Sequence, residues 1–198
     1  MWGSPVTGSG VPATQERSVS DFDAIELRGV GALTVSQTGT ESLVIEADDN
    51  LLEHLTSEVR DRRLILGARK GVNLHARLPL RYRVTVRELR GLDVSGSGSI
   101  EASDIATTHI IVAISGSGSI TIAGQGERQE LAISGSGNYD AADFATATTA
   151  ISVSGSGSAI VHARDTLDIA ISGSGRVEYL GEPAITRRIS GSGTIRRR

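Results

Sequence analysis

The sequence predicts an all-β chain wound as a parallel β-helix, with an N-terminal β-rich half that starts and caps the solenoid. Three observations carry that prediction. The tetrapeptide Ser-Gly-Ser-Gly recurs at Ser95, Ser115, Ser134, Ser154, Ser172 and Ser190, roughly every 18–20 residues, a period that signals stacked coils. A β-branched aliphatic precedes every copy: Val94, Ile114, Ile133, Val153, Ile171 and Ile189. An apolar residue follows just beyond most copies, as at Ile100, Ile120, Tyr139, Val177 and Ile195. Paired-helix repeats need about 33 residues or more, and leucine-rich repeats carry a regular Leu ladder. Neither pattern is present.

Read at the strand period of two, Val94, Gly96, Gly98 and Ile100 share one face, and Ser95, Ser97 and Ser99 share the other. If the aliphatics point inward, both glycines point inward with them and the serines face out. Coils stacked about 4.8 Å apart would then set like on like. The expected outer array is a hydroxyl ladder of Ser95, Ser97, Ser115, Ser117, Ser134, Ser136, Ser154, Ser156, Ser172, Ser174, Ser190 and Ser192. Out of context, Ser-Gly-Ser-Gly is a flexible linker. Here it is flanked by Ile110-Ile111-Val112-Ala113-Ile114 and Leu167-Asp168-Ile169-Ala170-Ile171, β-branched runs that disordered tracts lack.

The chain before the repeats divides in two. Residues 1–20 are polar, rich in Gly, Ser, Thr and Pro, and read as a flexible segment. Residues 21–91 read as short strands that begin the solenoid and cover its first coil, because an uncovered coil exposes unpaired strand edges. Phe22–Leu27, Ala32–Gln37 and Ser42–Ala47 alternate apolar and polar, as half-buried strands do. Asp48-Asp49-Asn50 precedes Leu51-Leu52-Glu53-His54-Leu55 and predicts a short helical turn capped by those side chains. Residues 92–198 hold the repeats.

Composition fits a narrow lumen. Aromatic residues make up only 3% of the 198 and the 24 glycines cluster in the repeats, so branched aliphatics must fill the interior. A net charge of −3 gives no global basic field for nucleic acid. The absence of cysteine removes disulfides, thiolate metal sites and cysteine nucleophiles. No stretch is long and apolar enough to span a membrane as a helix, and the opening residues lack the basic and apolar regions of an export signal.

Little in the chain reads as reaction chemistry. His54, His75, His109 and His162 stand at no zinc-ligand spacing. Gly96-Ser97-Gly98 mimics a nucleophile elbow, which would occur once rather than in every repeat. Calcium-binding β-rolls place Asp after their glycines. The corresponding positions here are Ser99, Ser119, Asn138, Ser158, Arg176 and Thr194, too poor in carboxylates for a hard cation. No catalytic, cofactor or metal residue is therefore expected. Polysaccharide-active β-helix enzymes need clustered carboxylates; Asp140, Asp143, Asp165 and Asp168, with Arg164 nearby, recur at no single coil position. The regular hydroxyls also suit an ice-binding or surface-adsorbing protein, though Asn138 and Arg176 interrupt the column. The basic end Arg196-Arg197-Arg198 reads first as a like-charged rim that discourages end-to-end stacking, and second as a patch for anionic lipid or polysaccharide.

Several features taken in order resemble one known family. They are Phe22-Asp23-Ala24-Ile25, then Val44-Ile45-Glu46-Ala47-Asp48-Asp49-Asn50-Leu51-Leu52, Leu78-Pro79, the Ser-Gly-Ser-Gly copies, and Tyr179-Leu180-Gly181-Glu182-Pro183. The chain resembles the head GIN domain family of bacterial envelope proteins, labelled auto-transporter adhesins, from about Ser18 to Ile195. The resemblance implies a right-handed β-helix, a place in the periplasm or on the cell surface, and no established enzyme activity. It favours a non-enzymatic binding or scaffold module with a protein or glycan partner at the cell envelope. Self-association into a homo-oligomer is compatible with the fold.

Overall fold

Like stacks on like along the solenoid. In the computed structural model, which describes residues 4–198, the residues before each repeat pair in parallel register from Val94 through Ile114, Ile133, Val153 and Ile171 to Ile189. The first five are buried and form an internal ladder. Ile189 departs from the expectation: it is 46% exposed, because among the described residues no strand lies on the outer side of its coil.

The corner also differs from the simple alternation. Gly96 does not point inward; it is exposed and has φ of +119°, while Gly98 is buried. Alternation needs continuous extended backbone, and one strand ends at Gly96 while the next begins at Ser99. The two glycines therefore serve different ends. The first turns the chain in a left-handed conformation that side chains disfavour. The second leaves room for the neighbouring coil, since a Cβ on Gly118 would lie 2.3 Å from Val94 Cγ1. Backbone hydrogen bonds stitch the corners together: Ser117, Ser136, Ser156 and Ser174 N–H donate to the carbonyls of Gly96, Gly116, Gly135 and Gly155, each at 2.9 Å.

The N-terminal half supplies two further coils. Ala24–Gly29 pairs in parallel with Gly91–Gly96, and Ala32 to Ser36 pairs with Ser99 to Ser103. On the other side, Arg63–Ala68 pairs with Ala24–Gly29, and Arg81–Val86 pairs with Ala32–Gln37. The chain thus lays down one inner coil, moves outward to build the end, and returns at Gly91. Antiparallel strands close that end. Leu55–Arg60 lies against Arg63–Ala68, Ser42–Asp48 against Arg81–Val86, and Pro12–Arg17 against Ser42–Asp48. Covering the terminal parallel strands with antiparallel ones satisfies backbone groups that would otherwise face solvent as an open edge.

Within the segment expected to be flexible, Ser4–Thr7 and Pro12–Arg17 are strands. Ser4–Thr7 pairs with Val72–His75, and Pro12–Arg17 pairs as above. The strand Pro12–Arg17 keeps most of its side chains exposed, so its composition reads as a tail although its backbone pairs along its length with Ser42–Asp48. Arg17 fastens it, donating to Leu52 O at 2.7 Å and Leu55 O at 2.9 Å.

The predicted helical turn is a 3-10 helix, Asp49–His54, without a side-chain cap. Asp48 has another task. Its buried carboxylate accepts from the backbone N–H of Gly10 (2.7 Å), Arg77 (3.0 Å) and Leu78 (3.1 Å), joining two loops. Burial alone favours the neutral acid, but the bonds from Leu78, Gly10 and Arg77 outweigh it and hold the carboxyl below its ordinary range. A depressed folded-state value means that this contribution to stability is full above about pH 4 and is lost as pH falls below that. The melting temperature of the wild-type chain should exceed that of an Asp48→Asn variant at pH 7, and the gap should close as pH falls below about 4. A gap that widens on acidification would show the opposite sign.

Candidate functional site: the serine ridge and the face beside it

The corner geometry brings the predicted hydroxyls into columns. Ser95, Ser115, Ser134, Ser154, Ser172 and Ser190 are register partners on successive coils. Ser97, Ser117, Ser136, Ser156, Ser174 and Ser192 sit one turn residue further on and are exposed. In the first column only Ser95 is half-buried. A third column runs alongside: Ser99, Ser119, Asn138, Ser158, Arg176 and Thr194. There Ser158 Oγ donates to Asn138 Oδ1 at 2.6 Å. Among the described residues, none of the twelve hydroxyls of the first two columns is hydrogen-bonded to another protein group. Backbone bonds already hold the corners, so these hydroxyls are spare.

Next to the ridge lies a sheet face whose middle column carries small side chains, while the column beyond it holds Ile111, Glu130, Ala150 and Asp168. Its central outward column reads Asp93, Ala113, Ala132, Ser152, Ala170, Arg188 from coil to coil. Two shallow grooves, of about 330 and 390 Å³, run along it and share Ser152, Ala170 and Arg188. Ile111, 51% exposed, borders the first groove. The sequence reading missed this strip. Its signal was available: the residue two before the first serine of each repeat is Ala113, Ala132, Ser152 and Ala170, small at every central coil.

The arginines of the last coil are divided by the same alternation. Arg187 and Arg197 are register partners of the core residues Ile169 and Tyr179, so charges occupy lumen-facing positions where the described solenoid ends. Arg188 and Arg196 fall in outward columns. Arg188 binds both oxygens of Asp168 at 3.0 Å, Arg197 binds Glu182 at 2.8 Å, and Arg198 lies 3.8 Å from Glu178. The Glu182 carboxyl is held low by its hydrogen bond to Arg197.

The acidic candidates are not assembled. Asp140 lies on the strand after the corner and accepts from Ala142 N–H at 3.0 Å, whereas Asp168 lies before the next corner, bound to Arg188. Asp143, Asp165 and Arg164 are exposed. Among the described residues no three His, Asp or Glu side chains converge as a metal site. His109 Nε2 lies 3.1 Å from Glu130 Oε1, and Arg128 Nε donates to the same oxygen at 2.9 Å. That hydrogen bond from Arg128, more than the contact with His109, holds the Glu130 carboxyl low. The buried polar groups are internal fasteners: Gln129 Nε2 donates to Tyr139 Oη at 2.5 Å, and Thr146 and Thr149 hydroxyls meet at 2.6 Å. Burial pushes the Tyr82 phenol up to about 12.

A family model described as "Putative auto-transporter adhesin, head GIN domain" matches residues 21–183. The chain belongs to the head GIN domain family. Crystal structures share the fold along almost its whole length. A "putative adhesin" from Bacteroides fragilis NCTC 9343 is 22% identical, with a TM-score of 0.78 over 98% of this chain and 100% of that one. A "putative adhesin" from Parabacteroides distasonis ATCC 8503 is 25% identical, with a TM-score of 0.63 over 98% and 100%. A "putative lipid binding protein" from the same organism is 23% identical, with a TM-score of 0.60 over the same shares. No curated protein matches the chain. No helix among the described residues is long and apolar enough to cross a membrane. The head GIN assignment accounts for the all-β solenoid, and the family's label points to adhesion rather than catalysis.

Proposed function

We propose that this head GIN domain is a non-enzymatic binding module of the cell envelope, and that its serine ridge is the contact surface for a glycan or protein. The carrying observation is the double column of hydroxyls, exposed at every coil except at Ser95, whose hydrogen-bonding capacity the fold does not use. A hydroxyl both donates and accepts, and columns repeating about every 4.8 Å suit an extended ligand with many polar groups. Each single contact is worth little in water. Affinity therefore grows with the number of coils engaged, which suits adhesion to a polymeric surface. The basic end Arg196, Arg197 and Arg198 acts on a different problem, discouraging another solenoid from stacking there.

Replacing Ser117, Ser136 and Ser156 together by Ala tests the ridge. All three are exposed, so the melting temperature should move by less than about 2 °C. Binding to the glycans or matrix proteins captured by the parent on an array should fall at least ten-fold. Undiminished binding by the folded variant would remove the ridge from the contact surface.

A further inference from the structure

We propose that the sheet face beside the ridge joins two copies of this chain, packed sheet to sheet with their solenoid axes antiparallel. Shape favours this pairing. Sheets that stack on one another need faces without protruding side chains, and untwisted sheets are typically stabilised by stacking. The central outward column offers Ala113, Ala132, Ser152 and Ala170 on consecutive coils. The adjoining outward column is mixed: a two-fold between the coils of Ala132 and Ser152 sets Glu130 opposite Ala150, and Asp168, held by Arg188, opposite the half-exposed Ile111.

Charge sets the direction. The same column starts with Asp93 and ends with Arg188. A two-fold axis running along the strands, between the coils of Ala132 and Ser152, reverses the order of coils and keeps each column facing itself. Arg188 of one copy then faces Asp93 of the other, Ala170 faces Ala113, and Ser152 faces Ala132. Within one copy Asp93 already pairs with Arg63, and Arg188 with Asp168. Docking therefore extends each pair into an alternating row of four charges. The parallel arrangement sets Arg188 against Arg188 and Asp93 against Asp93, which costs free energy. The column of Ser95 to Ser190 is uniform and accepts either order.

Area sets the expected strength. Six coils spaced about 4.8 Å and three outward positions per strand span roughly 29 by 20 Å, or about 600 Å² per copy. The total, about 1,200 Å², lies at the lower edge of specific interfaces. The dimer is accordingly reversible and concentration-dependent. Because the two-fold lays one first serine column on the other, the outermost serines Ser97 to Ser192 of both copies line the same side of the assembly. The dimer covers the first serine column, so a ligand of the paired form meets the outer serines Ser97 to Ser192, and the association itself is measured without any ligand.

Sedimentation equilibrium over a concentration series, with melting curves alongside, decides the matter for three proteins: the parent, Ala132→Arg and Arg188→Ala. The parent should show a monomer–dimer equilibrium. Ala132→Arg, an outward change at the centre, should melt like the parent and remain monomeric. Arg188→Ala should weaken the dimer at least ten-fold, and added salt should narrow that difference. A parent that stays monomeric up to millimolar concentration would overturn the proposal, as would a dimer that survives Ala132→Arg. Tighter or unchanged association of Arg188→Ala would overturn the antiparallel arrangement.

Discussion

Replacing Ile133 by Asp is expected to lower the melting temperature by about 10 °C or more, a loss of several kcal/mol for a chain of this size. Ile133 is 2% exposed and stands mid-solenoid between Ile114 and Val153. Burial of the side chain contributes about 1.5–3 kcal/mol, and the substitution adds a carboxylate with no partner in an aliphatic lumen. Position magnifies the damage. Each coil of a solenoid is stabilised by its two neighbours, so a fault at a central coil weakens two interfaces at once. The matched change one residue along, Ser134→Asp, places the same charge on the exposed ridge and should cost within about 0.5 kcal/mol. Melting curves for the two variants supply the test. Equal stability would mean that the inside and outside of this strand are misassigned.

The internal ladder was legible because the β-branched residue before each Ser-Gly-Ser-Gly is invariant in kind along the chain, and parallel stacking keeps like on like. The N-terminal coil was harder to see. Leu27-Arg28-Gly29-Val30-Gly31-Ala32-Leu33 forms the same corner, in register with Val94 to Ile100, and Ser97 N–H donates to Gly29 O at 2.9 Å. Its serines are replaced, so a search by tetrapeptide passes over it. The retained signal is the alternation of aliphatic, Gly, Gly and aliphatic, which is what the backbone requires. The coil outside it was not legible at all. Arg63–Ala68 and Arg81–Val86 come later in the sequence than the strands they cover, and no local pattern encodes that order. Pairing of the polar strand Pro12–Arg17 was hidden for a related reason, since backbone hydrogen bonds leave no mark on side-chain composition.

The candidate site divides in the same way. The serines could be listed from the sequence, but their availability could not, because it depends on corner N–H groups bonding to Gly carbonyls rather than to hydroxyls. The small-residue column needed the register as well. Ala113, Ala132, Ser152 and Ala170 become a surface only when four coils are aligned. Arg187 likewise reads as one more basic residue until its pairing with Ile169 places it over the lumen.

The second large effect concerns the first glycine of the repeat. Gly135→Ala should destabilise the protein by about 3 kcal/mol or more, whereas Gly39→Ala should cost only about 1 kcal/mol. Both glycines have positive φ, +115° at Gly135 and +84° at Gly39, so each substitution pays a left-handed strain of about 1–2 kcal/mol. They differ in what the new Cβ meets. At Gly39 nothing lies within 4 Å. At Gly135 the Cβ would stand 2.5 Å from the carbonyl oxygen of Gly116, a backbone atom that accepts the Ser136 N–H at 2.9 Å. Relief requires the two coils to move apart at the corner, which stretches that hydrogen bond. The displaced Gly135 also presses on the coil above, because the Cβ direction of Gly155 points at Gly135 O from 2.5 Å. Chemical denaturation of both variants separates conformational strain from coil-to-coil contact. If the two alanines cost the same, the glycine serves only to turn the chain, and the close stacking of corners has no share in specifying this residue.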